Sequence, residues 1–500
     1  MRGGRRHKPR ATGQLSALAK AGYIACAVLA VAIVTVSLGA YGIYRHLDGN
    51  IRHVTVGGLS HRSVYGAQNI LVLGSQTRQG QGRGFGENGS LDTSNSDNLL
   101  LIHLDPTHTH AIILSIPRDT MVYEPGCKAR RGIGDGIWGP YQSAIIDGAM
   151  NIGGPSCAVS TVADLSGIKL DHFVMFNFNS FRAMVDTIGG VEVCVPRSGY
   201  HDPYSGLDLS GGRHLLTYNQ ALAYVRTRHG VEADGDVGGD LPRIELQQAF
   251  MSSVIQKVDS QGILSNSVEL LKIADTATRA LTVDQGLDSV TKLLGLGKTL
   301  THLSARNVTL ITMPTVTDTN PGDSDRLLPQ EPQDDVIFQM ILDGQRWNGQ
   351  LPTQPRGRVR VRVLNGSGIT GLAGRTAARL RKLGFDVVGT GNAPPAATST
   401  VTYSGTIQAD SAYTLMTALS GTPAAQNLLQ EPAPQAGTAG PVDLVIGTDF
   451  GGVKAPAARR RSSGAAGSSP VSAAAVQSRN AAASICSGLP AANPDPGSPP

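Results

Sequence analysis

Apolar positions along this chain follow three rhythms, and each predicts a different kind of element. The first is unbroken: residues 21–44 are 24 positions without a charge, enough to span the apolar core of a bilayer. The second is a set of short runs, Ile70-Leu71-Val72-Leu73, Leu99-Leu100-Leu101-Ile102 and Ala111-Ile112-Ile113-Leu114. Continuous runs of that length predict central strands buried on both faces. Asp105-Pro106-Thr107 joins the last two into a hairpin. The third rhythm is helical: Pro155 opens a helix with Ala158, Val159, Val162 and Leu165 on one face, and Gly167 ends it.

Further along, 173–178 is a strand, and Ser180 caps a short helix closed by Gly189-Gly190. Val191-Glu192-Val193-Cys194-Val195 alternates as an exposed strand, and 308–313 is a last strand. Residues 124–154 hold many glycines without a period and read as an ordered, irregular insert. These elements make 68–315 one α/β domain, preceded by a polar stalk at 45–67. The acidic, proline-containing 316–356 reads as a linker holding one helix near Val336. Arg358-Val359-Arg360-Val361-Arg362-Val363 then opens a second domain, 357–449, with valines toward a core and arginines toward solvent or an anionic glycan. A helix over 371–383, strands at 385–388, 400–403 and 442–446, and a helix over 410–420 complete a small α/β unit. From 450 to 500 the chain is Ala, Ser, Pro and Gly with Arg459-Arg460-Arg461, a composition that predicts disorder.

Charge assigns a compartment and removes a partner. The formal charge is +5, and Arg2, Arg5, Arg6, Lys8, Arg10 and Lys20 contribute +6, so the rest of the chain sums to −1. A domain with that balance has no electrostatic footprint for nucleic acid. Basic residues precede the apolar run and no acid occurs before Asp48. The positive-inside rule then makes 1–20 a cytoplasmic arm, 21–44 a transmembrane helix and the remainder extracytoplasmic. A cleaved signal peptide is the alternative, since Ser37-Leu38-Gly39-Ala40 is small, but the run is longer than a usual signal core. Of the five cysteines, Cys26 lies in the span and Cys486 in the tail. Cys127, Cys157 and Cys194 remain, and a Cys127–Cys157 disulfide with Cys194 as a buried thiol is the simplest arrangement. No Cys-x-x-Cys or His-x-x-x-His spacing supports a zinc site.

Candidate chemistry begins at Ser115-Ile116-Pro117-Arg118-Asp119. Proline ends the strand, leaving Arg118 and Asp119 at its carboxyl end, where open α/β sheets place ligands. Thr217-x-x-Gln220 has the form of a capping box, and Arg226 and Arg228 follow two apart. On extended chain both point one way. Asp240 precedes Leu241-Pro242, an N-cap and first-turn proline, and Asp240, Arg243 and Gln247 stack on one helix face. An Arg and a Gln at a helix N-terminus make a natural anion site. The glycine-rich stretch around Gln79-Gly80-Gln81-Gly82-Arg83-Gly84 reads as a loop.

In this order the motifs resemble the LytR–CpsA–Psr family: Gly74-Ser75, Ser96-Asp97, Ser115–Asp119, Asp171-His172-Phe173, Gly189-Gly190-Val191-Glu192-Val193, Ala221-Leu222-Ala223-Tyr224-Val225-Arg226-x-Arg228 and Asp240-x-x-Arg243-x-x-x-Gln247. The likeness covers about 68–315, and 358–448 is similar to the C-terminal domain of actinobacterial members. It implies a three-layer α-β-α core with a mixed sheet and an apolar pocket for a polyprenyl chain. It implies transfer of a glycan phosphate from a polyprenyl-pyrophosphate carrier to peptidoglycan, at the outer side of the cytoplasmic membrane, with Mg²⁺ or Mn²⁺. Arg118, Arg226, Arg228, Arg243 and Gln247 would hold the pyrophosphate, since bidentate arginine suits it better than lysine. Asp97 would bind the metal, with Gln76 as a further ligand. Asp119 and Asp240 would orient the arginines or take the proton of the attacking hydroxyl. Three positions depart from the family pattern: Gln76 stands for an aspartate, Asn95 for an arginine and Ile145 for a lysine. Those losses motivate the alternative of a non-catalytic scaffold that binds the carrier. An arabinogalactan-type polymer is the first expectation for the glycan.

Overall fold

The structure is a computed structural model. It describes residues 17–60, 66–75, 96–129, 136–196, 198–228, 240–260, 267–300, 303–320, 325–421, 423–428, 440–455 and 476–486. A long helix, α1 (Ala17–Asn50), leads into β1 (Arg52–Val54), β2 (Gln68–Ser75), β3 (Ser96–Leu104) and β4 (Ala111–Ile116). The insert forms β5 (Met121–Glu124), β6 (Cys127–Lys128), β7 (Ile137–Trp138) and β8 (Tyr141–Ile145). Then come α2 (Gly148–Ser166), β9 (His172–Asn177), α3 (Phe178–Thr187), β10 (Val191–Val195), β11 (Tyr200–Asp202), β12 (Leu207–Leu209), β13 (Gly212–Leu216) and α4 (Tyr218–Arg226). The domain closes with α5 (Asp240–Ser260), α6 (Ser267–Ala280), β14 (Thr282–Asp284), α7 (Val290–Leu300) and β15 (Val308–Thr312).

Eight strands make one mixed sheet in the order β1-β14-β9-β2-β3-β4-β15, with a final strand from the chain's end beside β15. The β2–β3 and β3–β4 pairs are antiparallel, whereas β9 runs parallel to β2 and β15 parallel to β4. The apolar runs explain why. Leu71, Leu73, Leu99, Leu101 and Leu114 face one way, onto Val159 and Val162 of α2. Ile70, Leu100, Leu104 and Ile113 face the other, onto Met251 and Ile255 of α5 and Leu296 of α7. Strands apolar on both faces need helices on both faces, so the expected three-layer α-β-α core is present. Two family-like motifs prove structural. Asp171 accepts the Asn69 N–H at 2.9 Å, and the buried His172 ring lies 3.2 Å from Asp284, which also accepts the Phe173 N–H. At Gly190, φ is 79° and a Cβ would stand 2.8 Å from the Leu216 carbonyl oxygen, so only glycine fits.

Several boundaries differ from expectation. The stalk is partly fold: β1 pairs with β14, and Val56 and Leu59 enter the main core. The linker is fold as well. A β16 (Thr315–Thr317) and β17 (Leu327–Pro329) hairpin leads to α8 (Gln333–Leu342). Ile337, Phe338 and Ile341 of α8 are fully buried in the main core, on the α2 side of the sheet. Ser180 does not cap α3; Asn177 does, accepting the Ser180 N–H at 2.9 Å. Helix α2 begins at Gly148, seven residues before Pro155, with a kink where Gly154 has φ 69°.

The second unit comprises β18 (Arg360–Asn365), α9 (Leu372–Lys382), β19 (Asp386–Asn392), β20 (Thr400–Tyr403), α10 (Ala409–Thr417), β21 (Ala424–Asn427) and β22 (Val442–Ile446). Its sheet order is β19-β18-β22-β20-β21. Val359, Val361 and Val363 are buried, and Arg360 and Arg362 are exposed, Arg362 pairing with Asp443. The strict alternation is therefore read correctly. The tail is not disordered throughout. β23 (Ser478–Asn480) pairs antiparallel with β15, and Ala481 is buried. Cys127–Cys157 is bonded as expected, but Cys194 is not a thiol: it is joined to Cys486 across 292 positions. Short-range composition could not show that the chain's end returns to the first domain.

Candidate functional site

The parallel relation of β2, β4 and β9 brings their carboxyl ends to one edge of the sheet, beside the start of β3. Each end contributes to one cavity of about 320 Å³: Gly74 and Ser75 from β2, Asn98 from β3, Arg118 after β4, and Phe176 and Asn177 from β9. Arg118 is placed there by its neighbours. Pro117 has no N–H to continue the ladder, and its carbonyl accepts both the Thr120 N–H at 3.2 Å and the Thr120 hydroxyl at 2.6 Å. That turn throws Arg118 across the strand end, with Nε 3.6 Å from Asp119. Asp119 itself does not line the cavity; its other oxygen lies 3.9 Å from Arg326. It is placed to orient Arg118 from behind.

The opposite wall comes from helix ends. The capping box at Thr217–Gln220 starts α4 as expected. The helix runs on through Arg226, so that residue is helical rather than extended, and the chain turns extended only at Thr227, ψ 132°. Arg226 is thus the last helical residue, and Arg228 lies one residue past the cap. Both line the cavity, as do Arg243 and Gln247 from the first two turns of α5. Four guanidinium groups therefore face one space, and among the described residues Asp202 is the one carboxylate lining it. Arg226 also stacks over Phe178 with its Cζ 5.0 Å from the ring centroid, which fixes the plane of the fork. Gln247 also braces the wall, because its Nε2 donates to the Val225 carbonyl at 3.0 Å and fastens α5 to the end of α4.

Nothing in the residue spacing marks Asp202, yet it is buried and organises one side of the site. Its Oδ1 accepts the Tyr204 and Ser205 N–H groups at 2.9 and 3.3 Å, and its Oδ2 accepts the Arg228 N–H at 3.1 Å. The β11–β12 hairpin is thereby pinned to the segment carrying Arg228. The rest of the lining is apolar: Phe176, Phe178, Phe181, Leu222, Val225, Phe250 and Met251. The space offers guanidinium groups that suit a multiply charged anion and apolar side chains that suit a hydrocarbon. The side chains of Asp97 and Asp240, and all of Gln76, lie outside the described residues. Among the described residues, the one close grouping of metal-type ligands is Glu124, Cys127 and Cys157, whose cysteines are bonded to each other.

Comparison with known proteins now decides the family. A family model described as the LytR_cpsA_psr family matches residues 44–337. The chain belongs to the LytR_cpsA_psr family. A second model, described as LytR cell envelope-related transcriptional attenuator, matches 358–450. The chain is 31% identical over 360 residues to the cell wall biosynthesis protein LcpA of Corynebacterium glutamicum, covering 66% of this chain and 67% of that protein. It is 31% identical over 222 residues to the probable cell wall biosynthesis protein LcpB of the same organism, covering 44% and 48%. Against the polyisoprenyl-teichoic acid–peptidoglycan teichoic acid transferase TagU of Oceanobacillus iheyensis it is 30% identical over 207 residues, covering 41% and 56%. The chain thus spans two thirds of the first relative's length and about half of the other two. Among solved structures, a LytR-Csp2A-Psr enzyme from Actinomyces oris is similar with a TM-score of 0.43 and 23% identity, covering 58% of this chain and 96% of that one.

Proposed function

We propose that this protein transfers a glycan phosphate from a polyprenyl-pyrophosphate carrier to peptidoglycan on the outer side of the cytoplasmic membrane. One observation carries the reading: Arg118, Arg226, Arg228 and Arg243 converge on a cavity that is also lined by Phe176, Phe178, Phe181, Leu222, Val225, Phe250 and Met251. A lipid pyrophosphate combines the same two features, charge and hydrocarbon. Likeness to TagU, a polyisoprenyl-teichoic acid–peptidoglycan teichoic acid transferase, supports the reaction class. The glycan we propose is arabinogalactan-type, supported by the second domain at 358–450 and by likeness to a cell wall biosynthesis protein of Corynebacterium glutamicum.

In this reading a sugar hydroxyl of peptidoglycan attacks the glycan-side phosphorus. A new O–P bond forms, the P–O bond to the polyprenyl phosphate breaks, and polyprenyl phosphate departs with the electron pair. The hydroxyl proton passes to a carboxylate, Asp240, while Asp119 holds Arg118 from outside the cavity. Phosphoryl transfer asks the protein mainly for positioning and charge, and the four arginines supply both. A hard divalent cation takes oxygen donors, and Ser75 and Asn98 line the cavity with oxygen-bearing side chains beside the β3 start that carries Asp97. Asp97, with Gln76, would hold Mg²⁺ or Mn²⁺, which would neutralise phosphate charge.

The test incubates the purified full chain with a labelled polyprenyl-pyrophosphate glycan, peptidoglycan and Mg²⁺. Label in the insoluble wall together with released polyprenyl phosphate is expected; carrier binding with neither product would leave a scaffold. Arabinogalactan-type and teichoic-type carriers run side by side identify the glycan. Chelation should abolish transfer, and Gln76→Asp should lower the Mg²⁺ needed for half-maximal rate.

A further inference from the structure

The apolar helix is not a detached tether. Tyr41 and Tyr44 are exposed near the end of the apolar span, where aromatic rings mark the boundary between hydrocarbon and head groups. Helix α1 continues without a break to Asn50, and its last turns are fastened to two helices of the first domain. His46 Nε2 lies 3.1 Å from Asp275 Oδ1 on α6, and Asn50 Nδ2 donates to the same oxygen at 3.4 Å. The Val290 N–H, at the start of α7, donates to Asp48 Oδ1 at 3.1 Å. At 1.5 Å rise per residue, Asp48 stands roughly 6 Å beyond Tyr44. The head-group layer of one leaflet is roughly 5–7 Å deep. A continuous helix therefore holds the α1-facing sides of α6 and α7 at head-group level.

Those sides carry the right chemistry. On α6, Leu271, Asp275 and Arg279 recur every fourth residue, so Leu271 and Arg279 flank the point where α1 meets Asp275. On α7, Val290, Leu294 and Lys298 recur in the same way from the Asp48 contact. Leu271 and Leu294 are exposed. Lys272, Arg279 and Lys292 are paired with Glu269, Asp275 and Asp288, but each cation is more exposed than its carboxylate, 58% against 28% for Arg279 and Asp275. The positive ends are outermost. Exposed leucine beside outward cations is a surface that seats on an anionic bilayer. Helix α6 also packs along α3, whose Phe178 and Phe181 line the apolar wall of the arginine cavity.

We infer that the α6–α7 face is a membrane-docking surface that rests on anionic head groups of the leaflet where α1 emerges. Docking there keeps the apolar wall of the cavity beside the leaflet from which a lipid-linked donor arrives. The inference rests on the reading of α1 as an anchor and of the donor as lipid-linked.

The full chain in nanodiscs of phosphatidylethanolamine and phosphatidylglycerol, spin-labelled at one cysteine at a time, tests it. Cys26 is the free thiol, and its label reports on the anchor alone. A Cys26 label accessible to a nickel chelate sinks the anchor reading itself. With Cys26 at hydrocarbon depth, labels at Leu271→Cys and Leu294→Cys, each in a Cys26→Ser background, are expected at head-group depth. A label at Leu428→Cys, exposed on the second unit, is expected to be fully aqueous. Labels at 271 and 294 as chelate-accessible as the one at 428 overturn the inference. Labels shielded from both oxygen and chelate mean that a protein covers the face, and overturn it too. A second measurement uses Lys272→Glu/Lys292→Glu/Lys298→Glu. Its KM for donor in anionic vesicles should rise about tenfold, with a short-chain water-soluble donor unaffected; equal loss on both donors would assign the face to fold stability instead.

Discussion

Arg118 is the residue on which the clamp can be tested alone. It sits at a strand end in a turn whose hydrogen bonds are made by Pro117 and Thr120, so its side chain can go while the turn stays. Arg118→Ala is expected to cut transfer about 100- to 1,000-fold with the melting curve nearly unmoved; unfolding of the domain would make the residue structural. Asp202 should behave in the opposite way. Asp202→Ala leaves the N–H groups of Tyr204, Ser205 and Arg228 without their acceptor, at a cost of about 2–3 kcal/mol readable as a lower urea midpoint. Asp202→Asn, which keeps an acceptor oxygen, should recover part of it. The contrast explains what could be read in advance. Arg118, Arg226, Arg228 and Arg243 are marked by local grammar, a proline ending a strand, a helix end and an N-terminal turn. Asp202 reaches Arg228 only after a hairpin folds back over 26 positions, and no local rule contains that closure.

Among the elements, the continuous apolar strands and the Arg-Val alternation were legible because period 2 and unbroken runs are direct consequences of burial on one face or two. β23 was not, because three polar residues in an Ala/Ser-rich tail carry no apolar signal. What holds it is long-range: pairing with β15, Gln256 Nε2 donating to the Ala481 and Ala483 carbonyls at 2.6 and 2.9 Å, and the Cys194–Cys486 bond. The strap therefore belongs to the first domain although it follows the second in the chain. Cys194→Ser/Cys486→Ser should destabilise that domain by about 2–4 kcal/mol, since the bond closes a long loop. Calorimetry of the full chain should show the first domain's transition falling while the second unit's stays in place. Movement of the second transition alone would show that the strap stabilises the second unit instead.

At the scale of the molecule, the two cores meet on α8. Ile337 and Phe338 enter the first core and Val336 the second. At the start of the helix, carboxylates reach across. Glu331 accepts the Asn427 N–H at 2.7 Å, and Asp335 accepts from the Tyr403 hydroxyl at 2.6 Å and from Asn427 Nδ2 at 2.8 Å. Burial pushes the Glu331 carboxyl up to about 7 and the Asp335 carboxyl up to about 6, and burial with its acidic neighbours drives Asp334 well upward. In the unfolded chain these groups titrate near 4. Between about 4 and about 7 the folded seam therefore binds more protons than the unfolded chain, and its stability falls as pH rises through that window. A lower urea midpoint for the second unit at pH 7.5 than at pH 5 is expected. Glu331→Gln keeps a carbonyl oxygen for Asn427 and cannot ionise, so it should raise the midpoint at pH 7.5 and flatten the profile. A profile that slopes equally in both proteins would remove Glu331 from the seam's titration, leaving Asp334 and Asp335 to carry it.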